Sequence, residues 1–192
     1  MFKHIPWTVP NILSTYRLLS APIILVLIFL GYENVFISLF IFNQITDILD
    51  GYIARKYNLT SPIGALLDSW ADTGSYILAI AGISMFHREL FHHPYVYWVI
   101  GYLIIYSSTI AAAYFKFNKV SVGLHLYSSK INAYVQGVFL IVLFSIGLFP
   151  QFFYLCMVVG YLAEAECTMV LLLLKEPRQN VKGIYWLLKA KI

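Results

Sequence analysis

The sequence predicts an all-α, polytopic membrane protein with six transmembrane helices and a polar cavity open to the cytoplasm. Hydrophobic residues make up 60% of its 192 positions, charged residues only 11%, and the mean hydropathy is +0.77. Soluble domains carry about 25% charged residues. The apolar residues fall into six segments, each close to the length that a helix needs to cross a bilayer. Lysine and arginine are concentrated at one set of segment ends, which is typical of cytoplasmic connections.

The six segments follow one another through short connections. The predicted spans are 11–31, 35–56, 62–86, 94–116, 130–149 and 151–174. The second and third are the least apolar, since they hold four aspartates. Ser61 and Pro62 predict the start of the third helix, because serine caps helix N-termini and proline suits the first turn. A turn at Phe149 and Pro150 separates the fifth span from the sixth.

The chain length fits a single membrane domain over residues 1–192. Within it, residues 1–9 mix basic and bulky apolar side chains, which favours a short interfacial segment. Residues 175–192 form a basic tail that favours the cytoplasmic face and lipid headgroups.

The basic residues predict that both termini and the connection between the second and third spans are cytoplasmic. On that side lie Lys3, Arg55, Lys56, Lys116, Lys119, Lys130, Lys175, Arg178, Lys182, Lys189 and Lys191. The opposite connections hold only Arg88. No basic run is long enough to indicate a nucleic-acid partner.

Four aspartates lie on two helical stripes. Asp47 and Asp50 belong to one stripe with Gly51 and Ala54, and Gly64, Asp68 and Asp72 form the other. The intervening turn predicts an antiparallel hairpin that brings Asp50 to the depth of Asp68, and Asp47 to that of Asp72. Placing a charged carboxylate in apolar surroundings costs roughly several kcal/mol of free energy unless it is paired or bound to a cation. The stripes therefore predict a shared cation site.

The residue types in this cluster favour a hard cation. Carboxylate oxygens suit Mg²⁺, Mn²⁺ or Ca²⁺ better than zinc, and Mg²⁺ often shares its ligand shell with substrate phosphates. Gly51, Ala54 and Gly64 remove bulk on the same stripes, which permits either close helix packing or the approach of a large ligand. A phosphate-bearing substrate held by two metal ions fits this pattern.

Residues 47–72 contain the complete string DxxDGxxARx₈GxxxDxxxD. This string resembles the signature of the CDP-alcohol phosphotransferase (CDP-alcohol phosphatidyltransferase) family. The resemblance implies an enzyme that transfers a phosphatidyl group from CDP-diacylglycerol to an acceptor alcohol and releases CMP. It further implies these roles: two Mg²⁺ or Mn²⁺ ions held by Asp47, Asp50, Asp68 and Asp72; Asp72 as general base; and contacts to the CDP moiety from Gly51, Ala54, Arg55 and Gly64.

Two other stretches are similar to phosphatidylglycerophosphate synthases and CMP-forming cardiolipin synthases within that family. One runs from Pro10 to Arg17, and the other opens the fifth span around Lys130. Arg17 is interpreted either as a snorkelling residue or as a phosphate contact. Lys130, Lys116 and Lys119 would bind a phosphate on the acceptor. Glycerol 3-phosphate is the favoured acceptor, with phosphatidylglycerol, inositol phosphate and serine as alternatives.

The resemblance also implies a bacterial inner (plasma) membrane location and a homodimer formed through the third and fourth spans. A divalent-cation transporter is the main competing hypothesis, because intramembrane acidic residues often mark ion pathways. Glu164 and Glu166 interrupt the sixth span and cannot share one helix face. One of them is expected to face the cavity or to pair with a basic residue.

Overall fold

The protein is helical throughout the part of the chain that the structure describes. The computed structural model describes residues 7–118, 124, 126–174, 176 and 181–189. Its helices are α1 (Val9–Phe29), α2 (Glu33–Lys56), α3 (Pro62–Phe86), α4 (Tyr95–Phe117), α5 (Tyr127–Ile146), α6 (Pro150–Leu173) and α7 (Ile184–Lys189), with a 3₁₀ turn at Arg88–Phe91. The all-α prediction is confirmed, and each predicted span overlaps one long helix, with ends that agree within three residues.

Four of these helices, α1, α4, α5 and α6, are long and apolar enough to cross a membrane. The chain is therefore an integral membrane protein. Large apolar side chains face outward, as lipid contact requires; Ile104 on α4, for example, is 65% exposed. Helices α2 and α3 have sufficient length, 24 and 25 residues, but their aspartates lower their hydropathy.

Parts of the predicted termini lie outside the described residues. Residues 1–6 of the predicted interfacial segment are among them, and of the basic tail only positions 176 and 181–189 are described.

The end of α2 is set by its own sequence. Arg55 and Lys56 occupy the last turn, where positive charge complements the helix dipole. Asn58 then adopts a left-handed conformation with φ of 54°, and the Leu59 N–H donates to the Ala54 carbonyl at 2.9 Å. This is a Schellman-type closure, and it ends the helix before the next one begins.

Helix α3 begins where the sequence predicts. The Ser61 hydroxyl accepts a hydrogen bond from the Gly64 N–H at 3.0 Å, and Pro62 occupies the first turn. The cap satisfies a backbone donor that the helix itself leaves unpaired. Only the short connection 57–61 therefore separates the two aspartate-bearing helices.

The chain forms two compact units, Met1–Arg88 and Glu89–Ile192. In the first unit, α1 packs along both α2 and α3, which contact each other much less extensively. Ile24 and Ile28 of α1 and Phe36 of α2 are fully buried, and Phe36 stacks on Phe86 with centroids 5.7 Å apart. An apolar core therefore fixes α1 against its neighbours at one end and leaves its polar residues to face the aspartates.

In the second unit, α6 packs against α4, α5 and α7. Gly160 allows a close approach to α4, because a Cβ there would lie 2.8 Å from a Tyr102 ring carbon. The Tyr161 hydroxyl donates to the Trp98 carbonyl at 2.8 Å and ties α6 to α4. Small residues and interhelical hydrogen bonds are the usual means of association between helices in lipid.

The two glutamates of α6 have different partners. Glu164 lies near the Thr109 hydroxyl of α4, whereas Glu166 Oε1 accepts from the Ile184 N–H at 2.9 Å. Glu166 thus holds the first turn of α7, whose Leu187 is buried in a cluster with α4 and α6 residues. The sequence predicted that one glutamate would face the cavity or pair with a basic residue. The structure instead gives Glu166 a backbone N–H as its partner.

Replacing Glu166 by alanine is expected to release residues 181–189 from α6. A hydrogen bond to a charged group contributes about 1.5–3 kcal/mol, so amide hydrogen exchange in this segment should accelerate roughly tenfold or more. Hydrogen–deuterium exchange measured by mass spectrometry checks this. Glu164→Ala is the matched control, since the Ile184 N–H donates to Glu166; equal protection in both variants would argue against the contact.

Candidate active site

The four aspartates converge on the guanidinium of Arg17. Its Nη2 donates to Asp50 Oδ2 and to Asp68 Oδ1, both at 2.7 Å. Its Nη1 donates to Asp47 Oδ1 and, at 3.3 Å, to Asp72 Oδ1. Each nitrogen thus joins one aspartate of α2 to one of α3, in the pairs that the helix spacing predicts.

Arg17 itself is buried, with its side chain only 1% exposed. The snorkelling interpretation is therefore wrong. Four carboxylates within reach of one guanidinium offer it more charge-assisted hydrogen bonds than a lipid headgroup would. Its position on α1, which packs along both α2 and α3, carries it into the cluster.

The cluster is closed on one side and open on another. Asp50 has a side chain only 4% exposed, and its Oδ2 also accepts from the Ser14 hydroxyl at 3.0 Å. Asp47, Asp68 and Asp72 have side chains between 41% and 47% exposed. A ligand therefore has access to three of the four carboxylates.

The donor set fits a divalent cation. Carboxylate oxygens of Asp47, Asp50 and Asp68 all lie within 4.8 Å of one another, and hard oxygen ligands are those that Mg²⁺ and Mn²⁺ prefer. One guanidinium leaves the four carboxylates with an excess of negative charge. Asp72 stands outside this group of three and makes the longest of the Arg17 contacts.

A pocket of about 170 Å³ adjoins the cluster. Sites that enclose a whole drug-sized ligand are larger, roughly 300–1,000 Å³, so this pocket has room for part of such a ligand. Its walls include the four positions that the sequence assigns to the CDP moiety, Gly51, Ala54, Arg55 and Gly64, together with Asp50 and Asp68. The structure thus brings the predicted nucleotide residues and part of the acidic cluster to one place.

Two glycines keep this pocket open. A Cβ at Gly64 would lie 2.5 Å from Asn11 Oδ1, and one at Gly51 would lie 3.3 Å from Arg55 Nη1. Gly64 therefore permits a close approach of α1 to α3. Gly51 leaves room for the Arg55 guanidinium beside the pocket.

The sequence interpretation missed the contribution of α1 to this pocket. Asn11 and Ser14 line it and are only 2% and 3% exposed. Both lie within α1, whose N-cap position is Thr8. The available signal was the spacing of Asn11, Ser14 and Arg17, three polar residues three positions apart in an apolar helix.

The predicted acceptor lysines that the structure describes lie in the second unit. Lys116 is exposed, and its Nζ donates to the Leu172 carbonyl at 2.6 Å. Lys130 is exposed in the first turn of α5, with Nζ 5.7 Å from the Tyr127 ring centroid. Lys119 lies outside the described residues. Acceptor binding by these lysines stays a prediction.

Fold and site together define an integral membrane protein with an acidic cluster that could hold a metal ion beside a small pocket. The chain belongs to the CDP-alcohol phosphatidyltransferase family, which it matches over residues 7–174.

Three curated relatives each match between 41% and 52% of the chain. A cardiolipin synthase (CMP-forming) of Rattus norvegicus is 38% identical over 50% of this chain and 31% of its own length. A CDP-diacylglycerol–glycerol-3-phosphate 3-phosphatidyltransferase of Cereibacter sphaeroides is 39% identical over 41% of this chain and 37% of its own. One of the same description from Wigglesworthia glossinidia brevipalpis is 34% identical over 52% and 57%.

The match therefore spans between about a third and somewhat over half the length of these relatives. No solved structure gave a significant match.

Proposed function

We propose that this protein is a phospholipid-synthesis enzyme that transfers a phosphatidyl group from CDP-diacylglycerol to an acceptor alcohol. One observation carries the proposal: four carboxylates converge at the edge of a pocket lined by Gly51, Ala54, Arg55 and Gly64. Family membership supports this reaction type. Glycerol 3-phosphate is the proposed acceptor, in keeping with the descriptions of several relatives.

The pocket would bind the CDP moiety. Gly51, Ala54 and Gly64 leave room for the nucleotide, and the Arg55 guanidinium is placed to pair with phosphate oxygens. The α1 residues Asn11 and Ser14 complete the wall with polar groups. The diphosphate would then lie beside Asp50 and Asp68.

The aspartates would hold two Mg²⁺ or Mn²⁺ ions, with Asp47, Asp50 and Asp68 as the central ligands and Asp72 at the edge. When bound, such ions neutralise phosphate charge and stabilise the departing CMP. The fixed positions of the carboxylates would orient the diphosphate for in-line attack.

Asp72 would act as general base. The acceptor oxygen attacks the β-phosphorus, the bond from that phosphorus to the CMP oxygen breaks, and CMP leaves with the electron pair. The hydroxyl proton passes to an oxygen of Asp72. This carboxylate suits the role because it is half-exposed and makes only the long contact to Arg17.

We further propose that all six long helices cross the membrane as one domain, and that both termini and the acidic site lie on the cytoplasmic side. The basic residues at the ends of α2, α4 and α5 support this orientation. A bacterial inner membrane location, a homodimer and binding of the acceptor phosphate by Lys116, Lys119 and Lys130 complete the proposal.

In the test, purified protein in lipid vesicles is mixed with CDP-diacylglycerol, with Mn²⁺ or Mg²⁺, and with one acceptor at a time. CMP release and the lipid product are measured by mass spectrometry. We expect phosphatidylglycerophosphate with glycerol 3-phosphate. CMP release only with phosphatidylglycerol, inositol phosphate or serine would reassign the acceptor, and Mn²⁺ uptake into sealed vesicles without any CMP release would favour a transporter.

A further inference from the structure

Arg17 is the common partner of the four aspartates. It comes from α1, whereas the aspartates come from α2 and α3, and both terminal nitrogens of its guanidinium are engaged. Carboxylates that are bonded to the same guanidinium lie close together and repel one another through their like charges. A single cation bonded to all of them therefore holds the two helical stripes together at this point.

The guanidinium binds the carboxylates that a divalent cation would need. Ligand oxygens of Asp47, Asp50 and Asp68 lie within 4.8 Å of one another, and each of these carboxylates also accepts from Arg17. Hard cations bind oxygen at about 2.0–2.6 Å. A guanidinium bonded to all three carboxylates therefore competes with a metal ion for the same small space.

The guanidinium is not fully satisfied in this position. Its Nε is buried and has no hydrogen-bond partner among the described residues, although the side chain is only 1% exposed. A buried donor without an acceptor is unfavourable. The arrangement thus combines four favourable contacts with one unpaired donor.

We propose that Arg17 is a positioning residue that holds the four carboxylates together and competes with the divalent cation for them. The inference rests on the proposed function, because it assumes the divalent cation that the proposed function places at these aspartates. Arg17 keeps the cluster preformed, and it withdraws from the carboxylates when the metal is bound. A released guanidinium is then free to pair with a phosphate oxygen, for which its fork geometry is suited.

The test measures Mn²⁺ binding by electron paramagnetic resonance, with full-length protein in lipid nanodiscs and no substrate. Arg17→Gln keeps a polar side chain but removes the competing charge. We expect this variant to bind Mn²⁺ roughly ten- to hundredfold more tightly than the unchanged protein. In EDTA the variant should unfold at a lower temperature than the unchanged protein. Adding Mn²⁺ should raise the unfolding temperature of the variant by more than it raises that of the unchanged protein.

Arg88→Gln is the matched control, because Arg88 is exposed beyond the end of α3. Its Mn²⁺ affinity should stay within about twofold of the original, since an exposed charge is screened by salt. If Arg17→Gln does not fold, Arg17→Lys replaces it. Lysine keeps the charge without the fork, and an affinity above that of the unchanged protein is expected.

Mn²⁺ binding that is unchanged or weaker in the folded Arg17 variant, while the unchanged protein binds Mn²⁺, would overturn the competition and leave the proposed function intact. A failure of both proteins to bind Mn²⁺ would instead overturn the metal site and the inference together. Activity is not needed for either conclusion.

Discussion

Replacing Asp72 by asparagine should lower kcat for CMP release by about 10²- to 10⁴-fold, the usual contribution of a general base. Asparagine has nearly the same shape and keeps an oxygen that can accept from Arg17 Nη1, so the fold should persist. Because Asp72 stands outside the group of three close carboxylates, and asparagine keeps one of its oxygens as a ligand, Mn²⁺ binding should weaken much less than turnover. Steady-state kinetics and Mn²⁺ titration of the same preparation measure both effects.

The matched variant is Asp68→Asn. Asp68 belongs to the group of three close carboxylates, so its replacement should weaken Mn²⁺ binding as well as turnover. This difference separates a base from a metal ligand. Full activity in Asp72→Asn would remove the base assignment, whereas a loss of Mn²⁺ affinity equal to that of Asp68→Asn would make Asp72 primarily a ligand.

Replacing Gly64 by alanine should lower kcat/KM for CDP-diacylglycerol by roughly ten- to hundredfold. The added Cβ would lie 2.5 Å from Asn11 Oδ1, so either α1 must move away from α3 or Asn11 must turn into the pocket. Overpacking of this kind shifts side chains and backbone, and a misplacement of about 1 Å at a substrate site can lower the rate on the order of a hundredfold. Kinetics at varied CDP-diacylglycerol concentration measure the effect.

Gly137→Ala provides the comparison. Gly137 lies within α5, and a Cβ there would meet no atom within 4 Å. Alanine favours a helix over glycine by about 1 kcal/mol, so this variant should retain full activity and equal or higher thermal stability. Equal kinetic losses at both positions would mean that the crowding at Gly64 is not the cause.

The sequence could predict the helices and the aspartate pairing because both depend on local spacing. Ser61 and Pro62 mark the start of α3 whatever surrounds it, and the short turn equalises the depths of Asp50 and Asp68. The predicted nucleotide positions, Gly51 to Gly64, lie on the same two helices as the aspartates. Their collection in one pocket therefore follows from the hairpin.

The position of Arg17 could not be derived in this way. It is separated from the aspartates by 30 to 55 positions along the chain, and a basic residue near a helix end is equally compatible with a lipid headgroup. Similarly, Glu166 could not be assigned a backbone partner in α7, because that contact requires the chain to return across the end of α6.

By itself, the amino-acid sequence determined an all-helical membrane protein, the boundaries of its long helices, and two acidic stripes at matching depths. Those features follow from hydrophobic content, capping residues and helical period, which act over a few residues. Only the tertiary structure decided that α1 packs along both acid-bearing helices and delivers a buried guanidinium to four carboxylates. That outcome depends on how three helices pack around a shared core. Several helix arrangements are equally compatible with the local sequence, and burial and ion pairing select one of them.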